Sequence, residues 1–409
     1  MPKIMPRIIS QKNLQPRIWL CSLSLLLHVG WGFPLAALEN PRSLADLKPD
    51  PILPTALGQR SPSPLERITI RETAEQLDQD ARQQLAANET DRAFDLWFRA
   101  LNLQRVLGKN AEIVALGEVA EQAWEAGEKI ELQAITQRLQ TLEKDLKIQG
   151  NWLSPEAIVL GIAYQQARAL SSANRLYEYQ LAEAQRTNNP ATISAVLTQL
   201  IQVQWGSLNY PFAAQYTQQQ LAILRSQPAT RSSLLEERSL LQSLSFFYQQ
   251  TEDYLSAVTI LKEVLDLTLD LGLDAEVPPL QVSLAEAQIL SGDSLAATNT
   301  YRQAYLNAQQ QQQFYLAQDI LLALGQLREQ RGELAEAIQV YEILRQVHRY
   351  SSNLLGLLES YDRLGQLYLQ INNPQLASEQ FQKGLELSKR LGYREAEFTA
   401  QVDRLRKPN

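Results

Sequence analysis

Small and large apolar residues recur along most of the chain with a step of about 40 positions. A series of alanines is separated by 40, 44, 40, 40 and 40 residues, and a bulky side chain usually follows four positions later. A leucine stands 13 positions before each alanine, and the residue after that leucine is usually small. Side chains four positions apart share one face of an α-helix, so each period predicts a pair of helices. The alanines are Ala173, Ala213, Ala257, Ala297, Ala337 and Ala377.

Residues that end helices fall at fixed places in this period. Glycine or asparagine stands 15 positions after three of these alanines and after Ala93, which lies 80 residues before Ala173, and a helix C-terminus favours a left-handed residue there. Gly292 and Gly332 stand five positions before an alanine, which predicts a tight turn between two helices. Ser154–Pro155 and Asn373–Pro374 combine an N-cap residue with proline at the first helical position. The residues at the 15-position slot are Gly108, Asn188, Gly272 and Gly392.

The order leucine-small-x-x-aromatic followed by alanine-x-x-x-aromatic resembles the tetratricopeptide repeat family, with a period of 40 residues instead of 34. The resemblance implies an all-α, right-handed α-solenoid of about eight helical hairpins and a C-terminal capping helix at 393–406. The second unit, roughly 113–150, is degenerate, because Leu116-Gly117 and Ala126-Gly127 imply different frames. The clearest copy has Tyr361, Leu364, Gly365, Tyr368, Ala377 and Phe381. The predicted units begin near residues 74, 113, 154, 194, 238, 278, 318 and 358.

Three regions are predicted from composition. Residues 1–37 have a basic start and an uncharged apolar segment, typical of a secretory signal; an uncleaved membrane anchor is the alternative. Residues 38–65 are rich in proline and predict a disordered linker. Residues 66–407 hold the repeats. Because residues 1–37 have the composition of a signal or an anchor, we expect export across a membrane to a periplasm or equivalent lumen. Cys21 follows large side chains, which favours an apolar filler over a lipid-attachment site.

The charge of the chain argues against anionic partners. Its formal net charge is −7, and without residues 1–37, which hold four basic and no acidic residues, it becomes 34 − 45 = −11. Such a chain should repel nucleic acid and anionic lipid unless a local basic patch exists, and no run of basic residues suggests one. We therefore expect no nucleic-acid partner, and membrane proximity only through an uncleaved N-terminus.

No pattern predicts catalysis. With one cysteine and two histidines, Cys-based zinc sites and histidine clusters are excluded. Asp266, Asp270 and Asp274 step by four and lack the spacing of a calcium loop, so a solvated helix face is favoured. His348 is expected to be a cation that complements a helix C-terminus. We therefore predict no enzyme activity, cofactor or metal.

The resemblance implies that the first helix of each hairpin lines a groove for a protein or peptide partner. The predicted surface is rich in amides and carries a few apolar anchors, so it suits a neutral or amphipathic segment. The predicted function is a non-catalytic exported scaffold that mediates protein–protein interaction and assembles a membrane-associated complex. The alternative is a receptor for a small peptide or diffusible ligand whose binding changes the superhelical pitch. The groove residues are Ile158, Ile162, Gln165, Gln202, Trp205, Gln242, Phe246, Gln249, Gln326 and Gln366.

Overall fold

The computed structural model describes Leu44, residues 50–53 and residues 60–406. The predicted signal segment therefore lies outside the described residues. Within them the regular structure is helical. Seventeen α-helices follow in order: α1 (Pro64–Ala86), α2 (Thr90–Leu107), α3 (Lys109–Ala126), α4 (Lys129–Gln149), α5 (Pro155–Gln166), α6 (Leu170–Arg186), α7 (Pro190–Gly206), α8 (Tyr210–Arg225), α9 (Arg231–Gln250), α10 (Tyr254–Asp270), α11 (Val277–Leu290), α12 (Ser294–Gln310), α13 (Phe314–Gln330), α14 (Leu334–Tyr350), α15 (Leu354–Gln370), α16 (Pro374–Leu391) and α17 (Glu395–Arg406).

The first sixteen helices form eight hairpins, and α17 follows the last of them. We call the first helix of each hairpin its A helix and the second its B helix. The all-α architecture of about eight hairpins plus a C-terminal helix is confirmed. Most A helices begin within four residues of the predicted unit starts, but α9 begins seven residues earlier and α1 ten residues earlier.

A capping box explains the early start of α1. The backbone N–H of Ser63 donates to Glu66 Oε2 at 2.7 Å, and the N–H of Glu66 donates to Ser63 Oγ at 3.4 Å. Pro64 is the first helical residue, where its missing N–H costs no helical hydrogen bond. The sequence Ser-Pro-Leu-Glu carries this signal.

Inside a hairpin, a missing side chain on the A helix makes room for an aromatic ring of the B helix. A Cβ built on Gly161 would lie 2.5 Å from the ring of Tyr177, and one on Gly325 would lie 2.6 Å from the ring of Tyr341. Both rings are almost completely buried. The alternation of small and large residues is thus the packing rule of the hairpin.

The turns inside the hairpins place a left-handed residue five positions before the repeat alanine. Glycine fills this slot at Gly292 and Gly332, but other residue types also adopt it, including Leu208 at φ 57°. At that turn the N–H of Leu208 donates to Trp205 O at 2.9 Å, and the N–H of Asn209 donates to Gln204 O at 2.8 Å. These bonds satisfy carbonyls at the end of α7. The remaining members are Asn88, Arg168, Glu252 and Asn372.

The chain divides into two compact units, one ending at Ser226 and the other running from Gln227. In the N-terminal unit, α3 packs against α5 as well as α4. A Cβ on Gly117 would lie 3.0 Å from Ala163 Cα of α5. The Leu116–Gly117 pair therefore serves contact with the next repeat, which explains why its frame disagrees with that of Ala126–Gly127.

Part of the predicted linker contacts α2. Arg105 Nη2 donates to the carbonyl of Leu44 at 2.6 Å, and Arg99 Nε lies 3.0 Å from Asp50 Oδ2. Leu44 and Asp50 are buried, and Leu53 packs against the cluster that contains Ile70. We call Leu44 and residues 50–53 the N-terminal clasp. Two arginines of α2 and an apolar cluster bind these residues, and the disordered linker over 38–65 stays a prediction.

Helix α17 covers the last hairpin of the C-terminal unit. Phe398 is fully buried and takes the space above Gly384 of α16. Arg394 forms an ion pair of 2.7 Å with Asp362 of α15, and Gln401 Nε2 donates to the same carboxylate at 2.9 Å. These contacts agree with the predicted capping role of this helix.

Candidate functional site

The predicted groove residues lie on A helices of both units, and each unit is described by itself. We call the side of the A helices that carries them the A-helix surface. Each predicted residue lies two positions before, two after or five after the leucine of its repeat. In the N-terminal unit they are Ile158, Ile162 and Gln165 of α5 and Gln202 and Trp205 of α7. In the C-terminal unit they are Gln242, Phe246 and Gln249 of α9, Gln326 of α13 and Gln366 of α15.

Three apolar side chains stand open to solvent on the A-helix surface of the N-terminal unit. Ile158 and Ile162 are 46% and 44% exposed and lie one turn apart on α5, and Trp205 of α7 is 41% exposed. Leu160 and Ala163 on the other side of α5 are buried. Helix α5 is therefore apolar on both sides, while one side suffices to pack the hairpin.

The two predicted amides of this unit differ in what they bind. Gln165 Nε2 donates to the hydroxyl of Tyr177 at 2.7 Å and to Gln199 Oε1 at 2.8 Å, so its two amide hydrogens join α5 to α6 and α7. Gln202 is exposed. Of the two predicted amides, Gln202 is therefore the one exposed to a partner, whereas both amide hydrogens of Gln165 are used within the fold.

In the C-terminal unit the predicted residues are less open. Phe246 is 38% exposed, and its ring centroid lies 5.8 Å from that of the buried Phe247. Gln366 Nε2 donates to Asp362 Oδ1 at 3.0 Å, and it therefore belongs to the same network as Arg394. The amides Gln242, Gln249 and Gln326 are half-buried.

Sequence reasoning missed the tyrosine hydroxyl groups next to the A helices. Tyr177 is one of the bulky side chains that follow a repeat alanine by four positions, and its hydroxyl also accepts from Gln165 of the A helix. Burial raises the pKa of Tyr177 to about 12, and burial also raises the pKa values of Tyr301 and Tyr341. These hydroxyls therefore keep their protons at neutral pH. The sequence signal that could have indicated these hydroxyl groups was a tyrosine, instead of another bulky residue, four positions after the repeat alanine.

The structure corrects the interpretation of His348. Its side chain is 8% exposed, and Nδ1 lies 3.1 Å from Ser360 Oγ of the next A helix. Burial lowers the pKa of His348, which favours the neutral imidazole. The prediction of a cation at the end of α14 was wrong, because stacking of the next repeat removes this histidine from water.

Neither a metal centre nor a membrane span is found in the part of the chain that the structure describes. No cluster of three or more histidine, cysteine, aspartate or glutamate side chains there could hold a metal ion. None of the described helices is long and apolar enough to cross a membrane.

Comparison with known proteins identifies the repeats. Residues 316–390, which span most of α13 and all of α14 and α15 and nearly all of α16, match the tetratricopeptide repeat family model. A search of curated proteins finds no match to the chain.

Similar solved structures include three proteins with low sequence identity. BtubC (BKLC) from P. vanneervenii is 14% identical, with a TM-score of 0.36, covering 55% of this chain and 92% of its own. The apo form of RapI is 10% identical, with a TM-score of 0.40 and coverage of 81% and 97%. A signal transduction ATPase with a tetratricopeptide repeat sensor, PH0952 from Pyrococcus horikoshii, is 13% identical, with a TM-score of 0.40 and coverage of 77% and 50%.

The family assignment rests on the matched residues and on the helices themselves. The fold of stacked tetratricopeptide hairpins supports a role in protein interaction. Residues 316–390 of this chain are tetratricopeptide repeats.

Proposed function

We propose that this protein is a non-catalytic, exported scaffold that holds a neutral or amphipathic segment of a protein partner on its A-helix surface. The observation that carries the proposal is the apolar side of α5 and α7, where Ile158, Ile162 and Trp205 are each more than 40% exposed. These side chains occupy repeat positions, and most apolar residues between them on the same helices are buried.

The energetics favour an apolar partner face. Covering a Trp, Leu or Ile side chain from water contributes about 1.5–3 kcal/mol when burial is complete. The three half-exposed side chains retain roughly half of that gain for a partner. Because tryptophan often dominates interface energetics, Trp205 is the expected anchor. The exposed amide of Gln202, one turn away, can donate to and accept from the backbone of a bound segment.

The predicted positions favour some partner classes over others. In the N-terminal unit they carry isoleucine, tryptophan and glutamine, so none of these five side chains is a cation that could bind a terminal carboxylate or a phosphate. A neutral, amphipathic helix or an extended segment with apolar side chains at alternate positions fits it better.

The test compares a surface variant with a matched control in affinity capture from the exported fraction. Ile162→Gln combined with Trp205→Gln should release the captured partner, whereas Phe212→Gln should retain it. Phe212 is 49% exposed and lies in the first turn of the B helix α8, not on an A helix. Both variants should keep the helical content and melting temperature of the wild type. Loss of melting temperature together with capture would show that these side chains belong to the core, and capture unchanged in the double variant would contradict the proposal.

A photo-crosslinking residue provides an independent readout. Placed at Gln202 it should label the partner, and placed at the exposed Gln215 of the B helix α8 it should not. Equal labelling from both positions would contradict binding at the A-helix surface.

A further inference from the structure

Large apolar side chains are exposed where successive hairpins of the C-terminal unit join. After the α10–α11 junction, the last three of these connections are the short turns from α12 to α13, from α14 to α15 and from α16 to α17. In a stack of hairpins, the turns that lead from one repeat to the next lie along the same edge. We call residues 309–315, 349–355 and 389–395 the junction edge. Its exposed apolar residues are Phe314 (56%), Tyr315 (85%), Tyr350 (82%), Leu354 (40%), Leu355 (57%) and Tyr393 (54%).

The same edge carries cations that are not used in ion pairs. Arg349 lies in the last turn of α14, and Lys389 and Arg390 lie in the last turn of α16. None of the three forms a salt bridge with any residue that the structure describes; the guanidinium of Arg349 lies 5.7 Å from the ring centroid of Tyr350. Arg394 is different, because Asp362 and Glu397 pair with it.

Acidic side chains are scarce in these three turns. The preceding α10–α11 junction, whose Ala275 carbonyl accepts from Gln313 Nε2 at 2.6 Å, differs because it carries Asp270, Asp274 and Glu276. Within the three ranges the carboxylate is that of Glu395. The edge is therefore locally positive in a chain whose net charge is −7. The three cations come from two helices about 40 residues apart, so no basic run in the sequence marks them. Stacking of the repeats places both helix ends on one edge.

The opposite edge of the same unit has a different charge. It is formed by the turns inside the hairpins, where Glu252, Asp253 and Asp293 accompany the exposed leucines Leu255 and Leu295. Both edges expose apolar area, but the junction edge pairs it with unneutralised cations. Exposed apolar residues alone do not distinguish the two edges, whereas the charged side chains of the two edges do.

We propose that the junction edge binds an anionic lipid surface. Tyrosine side chains are stable at the depth of lipid headgroups, where the ring is in contact with acyl chains and the hydroxyl stays hydrated, and phenylalanine and leucine side chains insert into the apolar boundary beside them. Lysine and arginine near an anionic bilayer gain from the negative surface potential. The edge is a row of helix ends and turns, so a broad surface fits it better than a single peptide helix does.

The first test measures which edge enters the lipid. In the full chain, Cys21 is replaced by serine and an environment-sensitive fluorophore is attached at Gln310→Cys on the junction edge. The matched position is Gln330→Cys at the turn between α13 and α14, on the opposite edge. Vesicles that are roughly one-third phosphatidylglycerol should shift the emission of the probe at position 310 to the blue and leave the probe at position 330 unchanged. Pure phosphatidylcholine vesicles should shift neither, and high salt should reverse the effect.

The second test removes the charges or the rings. Arg349→Gln, Lys389→Gln and Arg390→Gln together should weaken vesicle binding, read at position 310, by a factor on the order of 100. Tyr315→Ser with Tyr350→Ser should also remove the blue shift. Leu255→Ser with Leu295→Ser, the matched change on the opposite edge, should leave binding unaltered.

Each of the following results would overturn the proposal. They are equal shifts at positions 310 and 330, equal shifts on neutral and anionic vesicles, an unchanged affinity in the triple glutamine variant, and burial of the probe on raising the protein concentration without vesicles. The last result would assign the edge to a second copy of the chain. A shift at position 330 alone would assign membrane contact to the opposite edge. None of these outcomes depends on whether the A-helix surface captures a protein partner.

Discussion

Single glycines decide how closely the two helices of a hairpin approach. Gly161 and Gly325 leave room for the rings of Tyr177 and Tyr341, and a Cβ at either position would overlap the ring. Other glycines have no such role. A Cβ on Gly206, at the end of α7, would meet only Leu170 Cδ1 at 3.8 Å, which is an ordinary contact.

The first prediction compares these two kinds of glycine. Gly161→Ala should destabilise the N-terminal unit by about 1–3 kcal/mol, because the added methyl group forces a fully packed ring to move. Gly206→Ala should instead stabilise it by up to about 1 kcal/mol, since alanine favours helix and has room there. Chemical denaturation followed by circular dichroism measures both. Equal effects of the two substitutions would show that the glycine of the A helix is not needed for close approach.

The second prediction concerns His348, the buried imidazole next to Ser360. Burial lowers its pKa in the folded chain, so the unfolded chain binds its proton at higher pH than the folded chain does. Stability is therefore fully present above the unfolded pKa of about 6.5 and falls as the pH decreases below it, by at most about 1.4 kcal/mol per pH unit.

The groups around His348 are Asp319 of α13 and Glu359 of α15, both of which favour its protonated form. Burial raises the pKa of Asp319, which opposes the histidine effect at more acidic pH. Thermal melts of the wild type and of His348→Gln between neutral and mildly acidic pH provide the measurement. The variant should lose most of the pH dependence in this range; an unchanged pH dependence would assign it to other groups.

At the level of elements, the second repeat shows why its frame was hard to predict. Glu112 of α3 is 3% exposed and accepts from Arg105 of α2 at 3.0 Å and from Arg138 of α4 at 2.7 Å. A buried carboxylate thus joins three helices where other hairpins use a glycine and a ring. The pattern of small and large residues is correspondingly weak there.

The third prediction tests this cluster with a double-mutant cycle. Glu112→Leu should cost about 3 kcal/mol, because it leaves two arginines without their carboxylate. Adding Arg138→Leu should cost less in that background than in the wild type, with a coupling of about 0.5–3 kcal/mol. The exposed pair Lys109–Asp145, 3.2 Å apart, is the control and should couple by less than about 1 kcal/mol. Similar coupling in both pairs would show that burial of Glu112 adds nothing.

Helix boundaries followed the sequence where a local signal was strong. Ser154 and Asn373 both cap helices as expected, accepting from the N–H groups of Ala157 and Leu376. The early start of α1 was missed although Ser63 and Glu66 carry a capping-box signal. The left-handed turn residue Leu208 could not be predicted, because the flanking helices impose its conformation and leucine has no preference for it.

For the whole molecule, the 40-residue recurrence was enough to predict the stacked hairpins, because the core of each one depends on local pairs. The A-helix surface was harder to predict. The repeat register assigned both Gln165 and Gln202 to the partner-binding surface of the A helices. Only the structure shows that Gln165 binds Tyr177 and Gln199. The junction edge was not predicted, since its cations meet only after repeats stack.

The fourth prediction follows from the nearest-neighbour stability of repeat arrays. Phe398→Ala should destabilise the end of the C-terminal unit by about 3–5 kcal/mol, because it empties a fully buried site. Hydrogen exchange should become faster in α15, α16 and α17 and remain unchanged in α5, α6 and α7. Exchange that accelerates equally in both sets of helices would mean that the array unfolds as a single cooperative body.

The N-terminal clasp limits the distance between residue 38 and the first hairpin of the repeats. Six residue steps separate Leu38 from Leu44, whose carbonyl is bound by Arg105. A fully extended chain of that length reaches roughly 20 Å. If residue 38 is fixed at a bilayer, the bound residue Leu44 stays within roughly 20 Å of that point. Arg105→Ala with Arg99→Ala would then release the clasp and lengthen the free segment between residue 38 and the first hairpin.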